Sequence, residues 1–397
     1  MPQPSPFHPR TEPLCESREW RDWAGYLAAA TYEHTHEREY YAIRNAVALI
    51  DVSPLYKYEI TGSHAQRLVD RIVTRDMRRC SIGQMRYTPW CDDDGKVIDD
   101  GTIACLGEEH YRITAAEPNL AWFQDCGYSL EAEVVDVSDQ LAALALQGPL
   151  ARTVLAKATQ VEGLSELRFY HLTHESIDGV PVTISRTGYT GDLGYELWMD
   201  PDHALQVWDA LMEAGRGQGI APAGMVALDI ARIEAGLLLI QVDYVSARKA
   251  LIESQKSSPF ELGLGWTVDL EKAPFVGQKA LIEEKQRGSV WNLVGLEVEW
   301  PALESEYARV NLAPQVAGRA SRTAVPIYQG KQQVGHATSQ TFSPSLKKYI
   351  ALATLESRHA QPGTPVEIEV TIEYVRRQSR ARVVKLPFLE LPRRKAT

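Results

Sequence analysis

The sequence predicts an α+β fold ending in a mainly β domain. Up to about Trp291, helical and strand-like periodicities are mixed without the regular strand–helix alternation of a doubly wound sheet. Near the C-terminus, Val366, Ile368, Val370 and Ile372 alternate with Glu367, Glu369 and Thr371. That period of two marks a half-buried antiparallel strand. The chain has 397 residues, more than the roughly 250–300 at which one hydrophobic core stops growing, so two or three domains are expected.

In chain order, the first 20 residues read as an arm, and Glu33–Asn45 as a helix. The apolar run Ala46–Ser53 reads as a buried turn into a strand, and Tyr56–Thr61 as an alternating strand that Gly62 ends. Ser63 and Gln66 have the spacing of a capping box. It would open a helix with Leu68, Val69, Ile72 and Val73 on one face. Cys91-Asp-Asp-Asp-Gly95 is a turn, because Asp and Gly tolerate tight-turn backbone angles. Strands Arg86–Trp90 and Lys96–Cys105 flank it. Leu144–Pro149 reads as a strand with a Gly-Pro stop, followed by a helix from Leu150. Val180–Arg186 is a further strand. Asp200-Pro201 suits a helix start, with Asp as cap and Pro in the first turn, and Leu205, Trp208, Leu211 and Met212 form its apolar face before Gly215. Ala227–Leu239 reads as another helix running into a buried segment.

Composition narrows the function. Hydrophobic residues make up 44% and charged residues 24%, and the net charge is -10. A net negative chain is poorly suited to nucleic acid or anionic membrane, which attract positive surface. The five cysteines are odd in number and contain no CxxC pair, which points to a reducing compartment rather than a disulfide framework or zinc knuckle. The N-terminus lacks the basic and apolar regions of a signal peptide, and no apolar run reaches roughly 20 residues. A cytoplasmic location is expected.

Several common motifs are missing: a dinucleotide fingerprint after a strand, a phosphate-binding loop, and a nucleophile elbow. His34 and His36 sit two apart, which on a helix is not one face, and no metal site is expected. The pair Asp99-Asp100 follows a short strand signal. Neighbours on a strand point to opposite faces, so one carboxylate faces inward, where it needs a partner or a function. Thr187-Gly-Tyr-Thr-Gly-Asp-Leu-Gly-Tyr-Glu196 is a glycine-punctuated loop between two strands, and its three glycines let backbone approach a ligand closely. Glu196 then stands inside an apolar segment. It either accepts two hydrogen bonds from an amidine-like edge, such as the N3 and 2-amino group of a pterin, or points outward from a hairpin. Arg232, in Arg232-Ile-Glu-Ala-Gly236, anchors either a structural ion pair or an anionic ligand.

In chain order the motifs are Ile50-Asp-Val-Ser53, Val97-Ile-Asp-Asp100, Leu146-Gln-Gly-Pro149, Thr187-Gly-Tyr-Thr-Gly191 with Tyr195-Glu196, Arg232-Ile-Glu-Ala-Gly236, Ser258-Pro259 with Gly265-Trp266, Phe275-Val-Gly277, and Thr341-Phe-Ser-Pro344. This series resembles the T-protein family of folate-dependent one-carbon enzymes, from about residue 20 to 390. The resemblance implies a three-domain cloverleaf with tetrahydrofolate at its centre. It divides the chain into a discontinuous core domain (1–55 and 140–285), a second α+β domain (56–139) and a C-terminal β domain (286–397). It also implies that Asp100 is the catalytic aspartate near folate N5. Glu196 would grip the pterin, with Tyr189 and Arg232 as further cofactor-binding residues.

The sequence departs from that pattern at four places, one of them Ala227-Leu-Asp229, where the family usually has Ala-Arg-Asp before the RxEAG motif. Pro54 stands where the family usually has His after Asp-Val-Ser. An ungapped count puts Ala116 at a family asparagine. Extra residues lie between Arg232 and Ser258, with Asp243, Tyr244 and Arg248 among them. These three are expected to line the donor side of the pocket. On that basis the expected activity is transfer of a methyl or methylene group from a small-molecule donor, as in folate-dependent demethylases. The alternatives are an aminomethyltransferase working with a lipoylated carrier protein and a non-catalytic folate-binding relative.

Overall fold

The computed structural model describes residues 1–160, 164, 166–315 and 318–395. Three larger sheets organise it, beside a two-stranded one of Trp20–Trp23 and Tyr26–Ala29. The first has six strands in the order Leu172–Ile177, Val180–Ser185, Gly194–Met199, Ala142–Gln147, Val47–Asp51 and Ile220–Pro222. All its pairings are antiparallel except the last. Ala142–Gln147 is buried at every position, as befits a central strand covered on both faces. Helices Ala151–Thr159 and Ala204–Ala214 are associated with one apolar core, which holds Leu144, Leu146, Val154 and Trp208. Helices Glu37–Asn45 and Met225–Glu234 belong to another, with Ala143, Ala145, Ile43 and Ile230.

The second sheet is antiparallel, in the order Met85–Cys91, Val97–Gly107, His110–Ala115, Tyr56–Thr61 and Glu133–Asp136. Its core takes Leu68, Val69 and Ile72 from helix Ala65–Ile72 and Phe123 from helix Leu120–Cys126. The third sheet is a closed six-stranded barrel: Trp291–Val298, Lys348–Glu356, Gln332–Ser343, Val325–Gln329, Pro365–Ile372 and Val375–Val384. Closure removes the free edges an open sheet would expose. Val366, Ile368 and Ile372 of the period-two stretch lie in the barrel core, whereas Val370 is only partly buried.

Local expectations shift where longer-range contacts compete. The N-terminal arm is ordered: it carries the short helix His8–Leu14, buries Phe7 against Trp208, and pairs Arg10 with Asp209. The helix read from Glu33 begins at Glu37, because Glu39 turns back to cap the Tyr32 and Glu33 amides. Ser63 forms no capping box, since its hydroxyl goes to Glu131. The helix read as far as Leu239 stops at Glu234, and Gly236 (φ +66) turns the chain away.

Candidate functional site

The three bodies surround a cavity of about 1260 Å³. Its lining includes Asp100 from the second sheet, Gln147, Tyr189 and Glu196 from the first, and Leu293 from the barrel. The C-terminal segment between Leu386 and Lys395 supplies a further wall.

Strand alternation separates the paired aspartates. Asp100 pairs across the sheet with Pro89, and Asp99 with Trp90. Asp99 turns into the core packed on the second sheet, fully buried. It accepts hydrogen bonds from the Glu117 amide at 3.0 Å and from Asn119 Nδ2 at 2.9 Å. Burial and the neighbouring Asp100 charge push its pKa well up. Asp100 lines the cavity, where Tyr87 donates to Oδ2 at 2.7 Å and Tyr244 donates to Oδ1. Burial raises its pKa too, while the two phenols pull it back.

Glu196 stands on strand Gly194–Met199 opposite Ala145 and Ser185. Thr187 Oγ1 donates to its Oε2 at 2.9 Å, and Oε1 has no hydrogen-bond partner among the described residues. Burial raises its pKa, with Thr187 pulling the other way. The carboxylate is half-buried at the cavity wall, and its unengaged oxygen is free to accept from a ligand.

The glycines of this loop make room for Gln147. A Cβ on Gly188 or Gly194 would lie 2.1 or 2.2 Å from Gln147 Oε1. Gln147 accepts from Thr190 Oγ1 at 2.8 Å and donates to the carbonyls of Thr187 and Tyr195. That pins the loop beside Glu196. Tyr189, in the same loop, donates its hydroxyl to the Leu238 carbonyl and lines the cavity.

Arg232 borders the cavity, but its guanidinium is committed inside the protein. It bonds Asp229 and Ser339 at 2.8 and 2.7 Å, as well as Asp243 and the Leu237 carbonyl. The geometry therefore favours the ion-pair reading of this residue over direct capture of an anion.

The expected donor-side trio is divided. Asp243 is buried in the Arg232 pair and also accepts from Thr338 and Ser339. Arg248 is exposed, and neither residue lines the cavity. Tyr244 alone reaches the site, through Asp100. The wall beside it is Leu239, Ile240, Gln241 and Val242. The cause is local packing: the Arg232 charge requires a buried counter-ion, and Asp243 meets that requirement. Ala116 does line the cavity, and the nearby Asn119 is spent on Asp99.

Sequence reasoning missed two contributors. One is Tyr87, which lies inside the strand read as Arg86–Trp90 but whose bond to Asp100 no local pattern marks. The other is the C-terminal strap, held by Arg393 on buried Asp192 at 2.6 and 2.8 Å and by the Leu389 amide on the Glu234 carbonyl. The strap places Arg394 over Phe169 at 5.3 Å. Arg75 lies over the exposed ring of Trp266 at 5.2 Å, and that ring stacks on Tyr87. The cavity lining thus mixes both signs, with Asp100, Glu196, Arg75, Arg86 and Arg394 among its charged residues.

The family model of the GCVT N-terminal domain matches residues 15–272, and that of the glycine cleavage T-protein C-terminal barrel domain matches 308–390. An aminomethyltransferase of Halothermothrix orenii is 37% identical over 355 residues, covering 88% of this chain and 90% of its own. A trimethylamine-oxide aldolase of Ruegeria pomeroyi is 36% identical over 342 residues, covering 83% of this chain and 40% of its own. Among solved structures, the glycine cleavage system aminomethyltransferase T from Bartonella henselae superposes with a TM-score of 0.83 at 25% identity, covering 98% of this chain and 99% of its own.

Proposed function

This chain belongs to the glycine cleavage T-protein family, an aminomethyltransferase family, and we propose that it moves a one-carbon unit between a small-molecule donor and N5 of tetrahydrofolate. The observation that carries the reading is Glu196: a half-buried carboxylate at the cavity wall, with one oxygen held by Thr187 and the other unengaged. The bidentate donor edge of a pterin suits that acceptor. Cations and aromatic rings on the same cavity wall suit the aryl and carboxylate parts of a folate. Tetrahydrofolate bound there would supply the N5 lone pair that accepts or releases the one-carbon unit.

The roles of the protein groups follow from their surroundings. Glu196 and the loop pinned by Gln147 orient the pterin. Tyr189 closes the same loop against Leu238. Asp100 presents a carboxylate that orients the amine and stabilises positive charge developing on it; such preorganised electrostatics is commonly the largest catalytic term. Positioning of the two reactants accounts for most of the remainder. Arg232 acts at one remove, through its grip on Asp229 and Asp243.

A second reading takes the donor as an aminomethyl group on the lipoyl arm of a carrier protein. It is favoured by the names of the curated relatives and by the apolar wall Leu239, Ile240 and Val242. An assay with tetrahydrofolate and a panel of methylated small donors, alongside an aminomethylated lipoyl carrier, separates the two. Product mass distinguishes 5-methyl- from 5,10-methylene-tetrahydrofolate. Turnover with the carrier alone would replace the first reading by the second. No tetrahydrofolate binding at millimolar concentration by calorimetry would end both.

A further inference from the structure

Two phenols from distant parts of the chain grip Asp100. Tyr87 lies on the adjacent strand, two residues from the cross-strand partner Pro89, and sheet geometry places it there. Tyr244 is 144 positions away in sequence, so no strand pairing dictates its contact. The turn carrying it is anchored by Asp243. That carboxylate accepts from Thr338 Oγ1 and Ser339 Oγ at 2.6 Å each, from the Leu239 amide at 2.9 Å, and from Arg232. The Gln241 amide then closes on the Tyr244 carbonyl at 2.7 Å. Asp243 thereby ties the turn to helix Met225–Glu234 and to barrel strand Gln332–Ser343. The phenol of the next residue crosses to the second sheet.

We propose that Tyr244 is a positioning residue for Asp100, delivered by a turn that Asp243 anchors to the barrel, and that it holds the carboxylate in one orientation toward the cavity and supports its negative charge. A carboxylate gripped on each oxygen by a separate donor cannot rotate freely, yet each oxygen keeps acceptor capacity for a ligand. The groups that sense this carboxylate are Tyr87, Tyr244, Asp99 on the opposite face of the strand, and the more remote phenols of Tyr170 and Tyr189. None of them is a cation, and no ion pair engages Asp100 among the described residues. The two phenols are therefore its hydrogen-bonded support against burial. The Tyr244 phenol is itself pushed far up by burial and by the Asp100 charge, so the shared hydrogen stays on the phenol.

The catalytic consequence rests on the folate reading above, but the test does not. Full-length protein labelled with 13C at aspartate Cγ is titrated by NMR, and the Asp100 signal is identified by its loss in Asp100→Asn. Tyr244→Phe removes one oxygen and keeps the ring. The Asp100 midpoint is expected to move to higher pH, with proton affinity up roughly tenfold, the scale of one hydrogen bond to a charged group. Ser339→Ala touches Asp243 and not Asp100, and is expected to move the same midpoint in the same direction by less. It also supplies a second measurement if Tyr244→Phe loses its fold. An unmoved Asp100 midpoint in a folded Tyr244→Phe, or in Ser339→Ala where Tyr244→Phe does not fold, overturns the inference. Tetrahydrofolate titrated into the same samples reports separately on the folate reading: if wild type fails to bind, that reading falls while the Asp100 midpoints still decide the role of Tyr244.

Discussion

Replacing Glu196 with Gln separates the ligand-binding role of this carboxylate from any role in folding. In the native protein Glu196 is half-buried, takes one hydrogen bond from Thr187, and has no ion-pair partner among the described residues. Its pKa is raised, and the first cause is burial. The folded state therefore binds that proton more tightly than the unfolded chain. Below the unfolded carboxylate range both states are protonated and nothing is gained or lost. Above the raised folded value the full penalty of a buried charge applies. Glu196→Gln keeps an acceptor for Thr187 and removes the charge. Without ligand, the variant should melt at or above the wild-type temperature at neutral pH, and the difference should vanish as the solution is acidified. With tetrahydrofolate the order reverses. A lost charge-assisted hydrogen bond costs about 1.5–3 kcal/mol, or roughly 10- to 150-fold in affinity. Calorimetric titration at neutral pH measures that loss. Thermal scans with ligand should show a smaller upward shift for the variant, since ligand stabilisation scales with the logarithm of concentration over Kd. Unchanged affinity would refute the pterin-gripping role. A lower melting temperature for the unliganded variant would mean the carboxylate supports the fold through partners other than Thr187.

Four further outcomes follow from the same geometry. Asp100→Asn should lower turnover about 100-fold or more, the scale of a preorganised group acting in the transition state, while tetrahydrofolate affinity by calorimetry stays within a few-fold; Asp99→Asn should cost about 1–3 kcal/mol of stability, because it disturbs bonds to Glu117 and Asn119 inside the core, and should affect turnover far less. Gly194→Ala should lower stability by about 1–3 kcal/mol in denaturant titration and weaken tetrahydrofolate binding with it, because the new Cβ would meet Gln147 Oε1 at 2.2 Å; an unaltered affinity would mean the loop does not need Gln147 in place. Arg393→Ala should loosen the C-terminal strap, leaving buried Asp192 with Arg44 at 3.5 Å as its ion-pair partner among the described residues, and proteolysis should then clip the tail faster than in wild type.

Sequence periodicity carried much of this protein. The α+β class, the β tail and the opposite orientations of Asp99 and Asp100 all come from alternation along single strands, which depends only on neighbouring residues. The glycine loop before Glu196 was legible for a similar reason: its glycines stand within seven residues of one another, and only backbone freedom and close approach explain them. Partner choice was not legible. Asp243 and Tyr244 are neighbours in sequence, yet one is buried on Arg232, Thr338 and Ser339 while the other reaches Asp100. Nothing in the local pattern separates a carboxylate that neutralises a buried arginine from one that lines a cavity. The C-terminal strap is the same case, because Arg393 meets Asp192 across 201 positions. These contacts arise only when the three larger sheets, each formed from its own strand and helix pattern, pack together. A buried charge then takes whichever opposite charge the packing brings within reach, since leaving it unpaired in a low-dielectric interior costs more than any local preference can offset.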